Sequence, residues 1–221
     1  LAPVEWTDDG WFIARGGDLG QPLAKPSGTS VGQHGMALSD RFDGKGLGQQ
    51  WSFFDPAQDE YQRLSFGDGV MSVQGKGRTP ADSPPLTVIA GDKAYQFEVE
   101  MEIEPGAIGG ALLFYNDRLY AGVGSNGEKF VMHRYGQERP SGGLAPGKGG
   151  RLWLRVTNNQ HVVTVHTSTD GQTWDKYPVQ MEVSGYHHNV AGQFLALKPA
   201  IYAAGEGKVH FRDFSYRALD Y

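Results

Sequence analysis

The stretch Tyr95-Gln-Phe-Glu-Val-Glu-Met-Glu-Ile103 most narrows what this chain can become. Tyr95, Phe97, Val99, Met101 and Ile103 alternate with Gln96, Glu98, Glu100 and Glu102. Strict period two predicts a strand with one face in a core and an acidic face on the other side. A helix would scatter the same side chains around its axis. Shorter runs of this kind recur at Tyr61 to Phe66, Val70 to Val73, Leu86 to Ile89, Gly109 to Tyr115 and Leu119 to Val123. Others follow at Lys129 to Tyr135, Arg151 to Thr157, Gln160 to Thr167 and Thr173 to Tyr177. Turn signals divide them at Gly67-Asp-Gly69, Asn116-Asp117, Gly124-Ser-Asn-Gly127, Asn158-Asn159 and Asp170-Gly171. The 32 glycines and 12 prolines suit many short strands joined by turns. The predicted fold is all-β, a two-sheet antiparallel β-sandwich.

The ends of the chain have their own patterns. Val4 to Trp6 and Trp11 to Ile13 flank Asp9-Gly10 and read as a hairpin too small to be stable alone in water. Residues 1–15 are therefore expected to be the remnant of a preceding domain, 16–37 a Gly/Pro/Ser-rich linker, and 38–219 the sandwich. A chain that opens on Leu1 reads as a piece of something longer. Leu38 to Asp43 and Trp51 to Phe54 are expected as the first two sandwich strands, and the last strand sets Val209, Phe211 and Phe214 against charged neighbours.

Charge and composition exclude several classes. A net charge of −5 with no basic stripe speaks against a nucleic-acid partner. Without cysteine there is no disulfide framework, thiolate metal site or cysteine nucleophile. No run of about eighteen apolar residues crosses a membrane as a helix. The compartment stays open. Gly142 to Gly150 lacks the Lys-Ser/Thr of a phosphate-binding loop and reads as a surface loop.

Several motifs together resemble the concanavalin A-like C-terminal module of family 43 glycoside hydrolases, the β-xylosidases and α-L-arabinofuranosidases. They are Leu38-Ser-Asp-Arg-Phe-Asp43 with Trp51-Ser-Phe-Phe54, Gly110-Ala-Leu-Leu-Phe-Tyr-Asn116, Ser168-Thr-Asp-Gly-Gln-Thr-Trp174, and the ending from Ser184-Gly-Tyr-His-His-Asn189 to Tyr216. Pro3 to Trp11 resembles the end of that family's catalytic propeller. The resemblance implies a concanavalin A-like jelly roll that packs on an upstream five-bladed propeller of the same parent chain. That propeller would hold the three catalytic acids, none of them in this chain. It also implies a loop that either stacks on the propeller as interface or is lent to the active-site rim, here Tyr186, His187, His188 and Asn189, and an oligosaccharide as ligand. A structural Ca²⁺ near the first and last strands is implied too, with Asp40, Asp43 and Asp213 as its acids. Hard oxygen ligands suit that ion.

Two further readings start from the residues. Carboxylates two apart on a strand lie roughly 6.6 Å apart at the backbone, near the spacing of a retaining glycosidase pair. This makes Glu98, Glu100 and Glu102 the alternative catalytic residues of an independent sandwich hydrolase, set against an ordinary charged sheet face. Sugar recognition needs aromatic faces beside planar hydrogen-bonding groups. Asn116, Arg118 and Tyr120 on one hairpin, with His133 on the next strand, are the candidates, against the reading of plain sheet surface. Regular alternation would put these three hairpin residues on one face with Tyr115 opposite, and Phe114 and Leu119 facing inward. A free-standing lectin-like protein is the third alternative.

Overall fold

The computed structural model describes residues 2–16, 20, 36–139 and 150–219. Most of the expected linker and of the Gly142–Gly150 loop lies outside them. The chain divides into two units, Leu1–Gly35 and Met36–Tyr221. In the first, β1 (Val4–Trp6) pairs with β2 (Phe12–Ala14), Trp6 standing opposite Phe12. The Thr7 carbonyl accepts from the Gly10 amide at 2.9 Å, and Gly10 takes φ +85°, so the expected turn is present. Trp6 and Trp11 are each 72% exposed.

The second unit runs through β3 (Ser52–Phe53), β4 (Leu64–Gly67), β5 (Val70–Gln74), β6 (Leu86–Thr87), β7 (Ala94–Ile103), β8 (Ala107–Asn116) and β9 (Leu119–Ser125). It continues with β10 (Phe130–Arg134), β11 (Gln137–Arg139), β12 (Arg151–Asn159), β13 (Val162–Ser168), β14 (Asp175–Lys176) and β15 (Met181–Glu182). A one-turn helix α1 (His188–Ala191) precedes β16 (Lys198–Gly205) and β17 (Lys208–Ala218). One sheet has the order β11-β10-β9-β8-β16-β6-β3, the other β14-β13-β12-β7-β17-β5-β4 with β15 beside β13. Their strand pairings are antiparallel, as a sandwich of this kind requires.

The core between the sheets follows from alternation. Tyr95, Phe97, Val99, Met101 and Ile103 of β7 are all buried in it, opposite Ala111, Leu113 and Tyr115 of β8. On β17 the inward residues are Val209, Phe211 and Phe214. Period two would have put residue 213 inside. A bulge between Arg212 and Ser215, with Asp213 at φ +45°, turns Phe214 inward instead. There its ring meets Trp51 edge-on at 4.7 Å and lies over Phe97 at 5.8 Å.

Three expectations are corrected. Leu38 to Asp43 forms no strand: Asp40 makes a single bridge to Phe214, and Phe42 at φ +55° leaves the ladder geometry. The run at Thr173 to Tyr177 contributes only the two-residue β14, because its first residues are taken up by the turn around Asp170. The β8–β9 hairpin is not regular: a bulge between Phe114 and Asn116 shifts the register, and Tyr115 rather than Phe114 faces the other sheet. Phe114 joins Leu112, Tyr120, Ala200, Tyr202 and Ala204 in a second buried cluster on the outer face. His187 is extended, at φ −151° and ψ 175°, and His188 after it opens a helical turn.

Polar groups fix the remaining joints. Asp170 in its turn accepts from the Thr173 and Gln172 amides at 2.7 and 2.8 Å, and these bonds pull its carboxyl down to about 2. Arg63 ties the two sheets together, donating through Nε to the Gln74 carbonyl of β5 at 2.8 Å and through Nη2 to the Ala203 carbonyl of β16 at 2.7 Å. Its other nitrogen pairs with Glu60, whose side chain is 0% exposed and also takes Lys76 Nζ at 2.7 Å.

Candidate functional site

The structure joins two stretches that the sequence reading treated separately. The β8–β9 hairpin and the segment 186–195 are laced together at one end of the seven-stranded sheet. Asn116 Nδ2 donates to Gln193 Oε1 at 2.9 Å, and Arg118 Nη2 donates to the Ala191 carbonyl at 2.6 Å. The Tyr115 hydroxyl donates to the Gln193 carbonyl and accepts from the Leu195 amide. Asn116 Oδ1 also accepts from the amides of Arg118 and Leu119, which holds the turn itself. At the other end of the segment the buried Tyr186 accepts from the Tyr135 amide at 2.7 Å, and burial pushes its hydroxyl up to about 12.

Helix α1 is one turn long because both ends are closed locally. His187 caps its start, Nδ1 accepting from the Asn189 amide at 3.2 Å. Gly192 at φ +78° ends it in the left-handed geometry that favours glycine. The chain then presents Phe194 outward, 90% exposed, with its ring stacked on His188 at 4.7 Å and Val190 exposed alongside. An aromatic held face-out on a tethered loop is the most conspicuous surface feature of the second unit. The sequence reading reached His187 and His188 but passed over Gln193 and Phe194. Their signal is the glycine stop at Gly192 followed by an aromatic outside any alternating run.

The hairpin candidates for sugar contact sit elsewhere than expected. Asn116, Tyr120 and His133 are 0–1% exposed, and each is hydrogen-bonded to protein, although His133 Nδ1 is buried without a partner. The Tyr120 hydroxyl donates to the Gly136 carbonyl, and His133 Nε2 lies 2.8 Å from the Tyr202 hydroxyl. Burial pulls His133 down to about 4, so the ring is neutral at pH 7. The bulge resets the register at Asn116, while Tyr120 and His133 are buried against each other and Tyr202 on the outer face of the sheet, so these residues form a scaffold and not an open face. Because Asn116 satisfies both the turn and Gln193, Asn116→Ala is expected to cost about 1–3 kcal/mol. It should also speed amide exchange at Gln193 to Leu195. Urea unfolding with hydrogen exchange checks this, and unchanged exchange there would show that the loop holds itself.

The acidic stripe is neutralised strand by strand. Glu98 pairs with Arg155 of β12 at 2.7 Å, Glu100 with Arg151 and with Arg212 of β17, and Glu102 with Arg212 at 3.2 Å. Glu104 takes the Lys208 amide and His210, which lowers its carboxyl. An acidic column between two basic ones is a sheet-face lattice, with each carboxylate of the alternative catalytic set already engaged.

The calcium expectation does not match its donors. Asp40 Oδ1 accepts from the Phe42 amide at 2.7 Å, and Oδ2 accepts from Gln50 and from the Trp51 indole at 3.0 Å. Asp43 and Asp213 flank the Arg41 guanidinium at 3.6 and 3.9 Å. Among the described residues no three His, Cys, Asp or Glu side chains gather as a metal group. These three acids thus do not fit a Ca²⁺ ion.

Comparison with known proteins agrees with this architecture. A family model described as the β-xylosidase C-terminal concanavalin A-like domain matches residues 39–217. The family 43 protein BlXynB from Bacillus licheniformis superposes with a TM-score of 0.74 at 21% identity, over 99% of this chain and 46% of that one. A xylan β-1,4-xylosidase from Bacillus halodurans gives 0.74 at 16% identity, over 98% of this chain and 46% of that one. A family 43 protein of a Bacteroides ovatus xyloglucan locus gives 0.73 at 17% identity, over 99% and 46%. The chain thus spans less than half the length of these structures. No curated protein matches it.

Proposed function

The chain belongs to the family of β-xylosidase C-terminal concanavalin A-like domains, and from that membership we propose that it serves as the accessory β-sandwich of a family 43 glycoside hydrolase. It braces the catalytic propeller of the same parent chain and sets the 186–195 loop at the rim of that domain's active site. Hydrolysis itself belongs to the propeller, acting on oligosaccharides of the xylan or arabinan type.

The observation that carries this reading is Phe194. A phenylalanine 90% exposed loses about 1.5–3 kcal/mol of available burial, yet four hydrogen bonds around Gln193, Ala191 and Tyr115 hold its loop in place. Such an investment fits an aromatic that meets a partner. The β1–β2 hairpin supports the same picture. Its apolar Val4, Trp6, Trp11, Phe12 and Ile13 are 43–72% exposed, which suits residues 1–15 as part of the preceding domain, with the sandwich following.

Phe194→Ala in the parent hydrolase is expected to lower kcat/KM on aryl xylosides or arabinosides by about tenfold, from lost burial at the rim. The melting temperature should hardly move. Wild-type kinetics in both F194A and F194D would remove the rim role and leave only bracing.

A further inference from the structure

A cavity of about 180 Å³ opens beside this loop. It is built from four separate parts of the chain. Phe54 and Asp55 come from just after β3, Pro80 and Pro84 from the segment between β5 and β6, Asp117 from the β8–β9 turn, and Gln193 from the loop after α1. The parts are fixed by hydrogen bonds and ring contacts, some of them shared. The Phe54 amide donates to the Pro85 carbonyl at 3.0 Å, and its ring meets Phe114 edge-on at 5.0 Å. Asp82 pins the 78–82 turn by accepting from the Arg78 and Thr79 amides at 2.9 and 2.7 Å. Asn116 holds both the turn that carries Asp117 and the side chain of Gln193. Asp55 stands at φ +43°, a strained conformation for a residue with a side chain.

The lining selects a chemical class. Phe54, Pro80 and Pro84 offer apolar walls. Asp55 and Asp117 offer carboxylate oxygens, and neither forms an ion pair with a described residue. Gln193 spends its amide oxygen on Asn116, which turns its NH₂ group into a donor for whatever enters. A ligand must therefore present several hydroxyl donors, at least one acceptor and apolar C–H patches, and must carry no negative charge. The volume falls well below that of a drug-sized pocket. It suits one ring.

We propose that this cavity is a sugar subsite of the module, holding a single neutral pyranose or furanose residue at the end of an oligosaccharide. Sugar hydroxyls donate to Asp55 and Asp117, the ring's C–H face lies on Phe54, and the Gln193 amide donates to a hydroxyl or ring oxygen. The choice of a cell-wall sugar rests on the function proposed above. The site itself needs no upstream domain. Its preformed walls keep the ordering cost of binding low.

The test is a titration of this chain with xylobiose and, separately, arabinobiose, followed by amide chemical shifts. Calcium chloride alone serves as a third probe. Saturable shifts confined to Phe54–Asp55, Ala81, Asp117–Arg118 and Gln193 are expected with at least one sugar. Asp117→Asn and Asp55→Asn should each weaken that binding about tenfold, as loss of a charge-assisted hydrogen bond does. Both positions are exposed, so the variants are expected to keep the wild-type melting temperature. Phe194→Ala should leave the sugar shifts intact, so a failed rim role and a failed subsite give different results. No saturable shifts at these residues with either sugar, shifts that persist unweakened in both variants, or a response at the two aspartates to calcium alone would each overturn the proposal.

Discussion

Glu60→Ala is expected to destabilise the sandwich by about 3–5 kcal/mol, the usual loss when one partner of a buried ion pair is removed. For a domain of this size that is a fall in Tm of roughly 6–20 °C. Glu60 is fully buried between Arg63 and Lys76, and Arg63 is also the group that reaches carbonyls of both sheets. Without the carboxylate, a guanidinium only 9% exposed is left without its counter-charge. The pH dependence has a defined sign. Burial on its own would raise the Glu60 carboxyl, but hydrogen bonds from Lys76 and Arg63, with their charges, outweigh it and hold the group below the ordinary 4.5. On acidification the unfolded chain therefore takes up this proton first. The contribution is complete above about pH 4.5 and drains away as pH falls through the lowered folded value. Glu60→Gln should be milder than Glu60→Ala and should lack this component. Thermal melts of the three proteins between neutral pH and pH 3 decide the matter, and parallel curves for wild type and Glu60→Gln would refute the assignment.

Phe214→Ala is the second large effect, at about 3–5 kcal/mol for an aromatic deleted from a packed interior. The ring is 1% exposed, stands edge-on to Trp51 and lies over Phe97. It thus joins the last long strand to the segment that opens the sandwich. Trp51 in turn is anchored by its indole hydrogen bond to Asp40, whose amide donates to the Phe214 carbonyl at 2.8 Å. Chemical denaturation gives the number. A loss under about 1 kcal/mol would mean that neighbouring rings close the gap, which the low cost of a collapsible site allows.

How much of this was legible depended on whether a pattern was local. The alternation of Tyr95 to Ile103 announced β7 and its core face because period two has no competing explanation over so long a run. The three-residue step from Phe211 to Phe214 was itself a record of the bulge at Asp213, available in the sequence to a reader who asked why the period broke. Gly110 to Asn116 was harder. An antiparallel strand covered on both sides loses the polar alternation that says which side is inner, so Phe114 and Tyr115 could be exchanged without offending any rule. The ion lattice around Glu98 to Glu102 depends on which strands flank β7, and the Glu60–Arg63–Lys76 cluster draws on residues whose meeting the turns decide. The 186–195 loop was visible through its histidines, whereas its most exposed residue, Phe194, carried no motif.

The glycines of β8 and β9 have a consequence for how this module can diverge. A side-chain carbon at Gly124 would lie 2.2 Å from the Tyr202 hydroxyl, and one at Gly110 would lie 2.6 Å from the same ring. The two bare positions form the seat on which that tyrosine lies flat across its own sheet. Change on one strand is thereby chained to change on another. A family member with an alanine at either seat must also move the ring at position 202, with the hydroxyl that His133 meets, and must shift neighbouring backbone, since Gly124 Cα lies 2.6 Å from the added carbon at 110 and the Gly109 carbonyl 2.7 Å from that at 124. These positions should drift as a linked set across relatives.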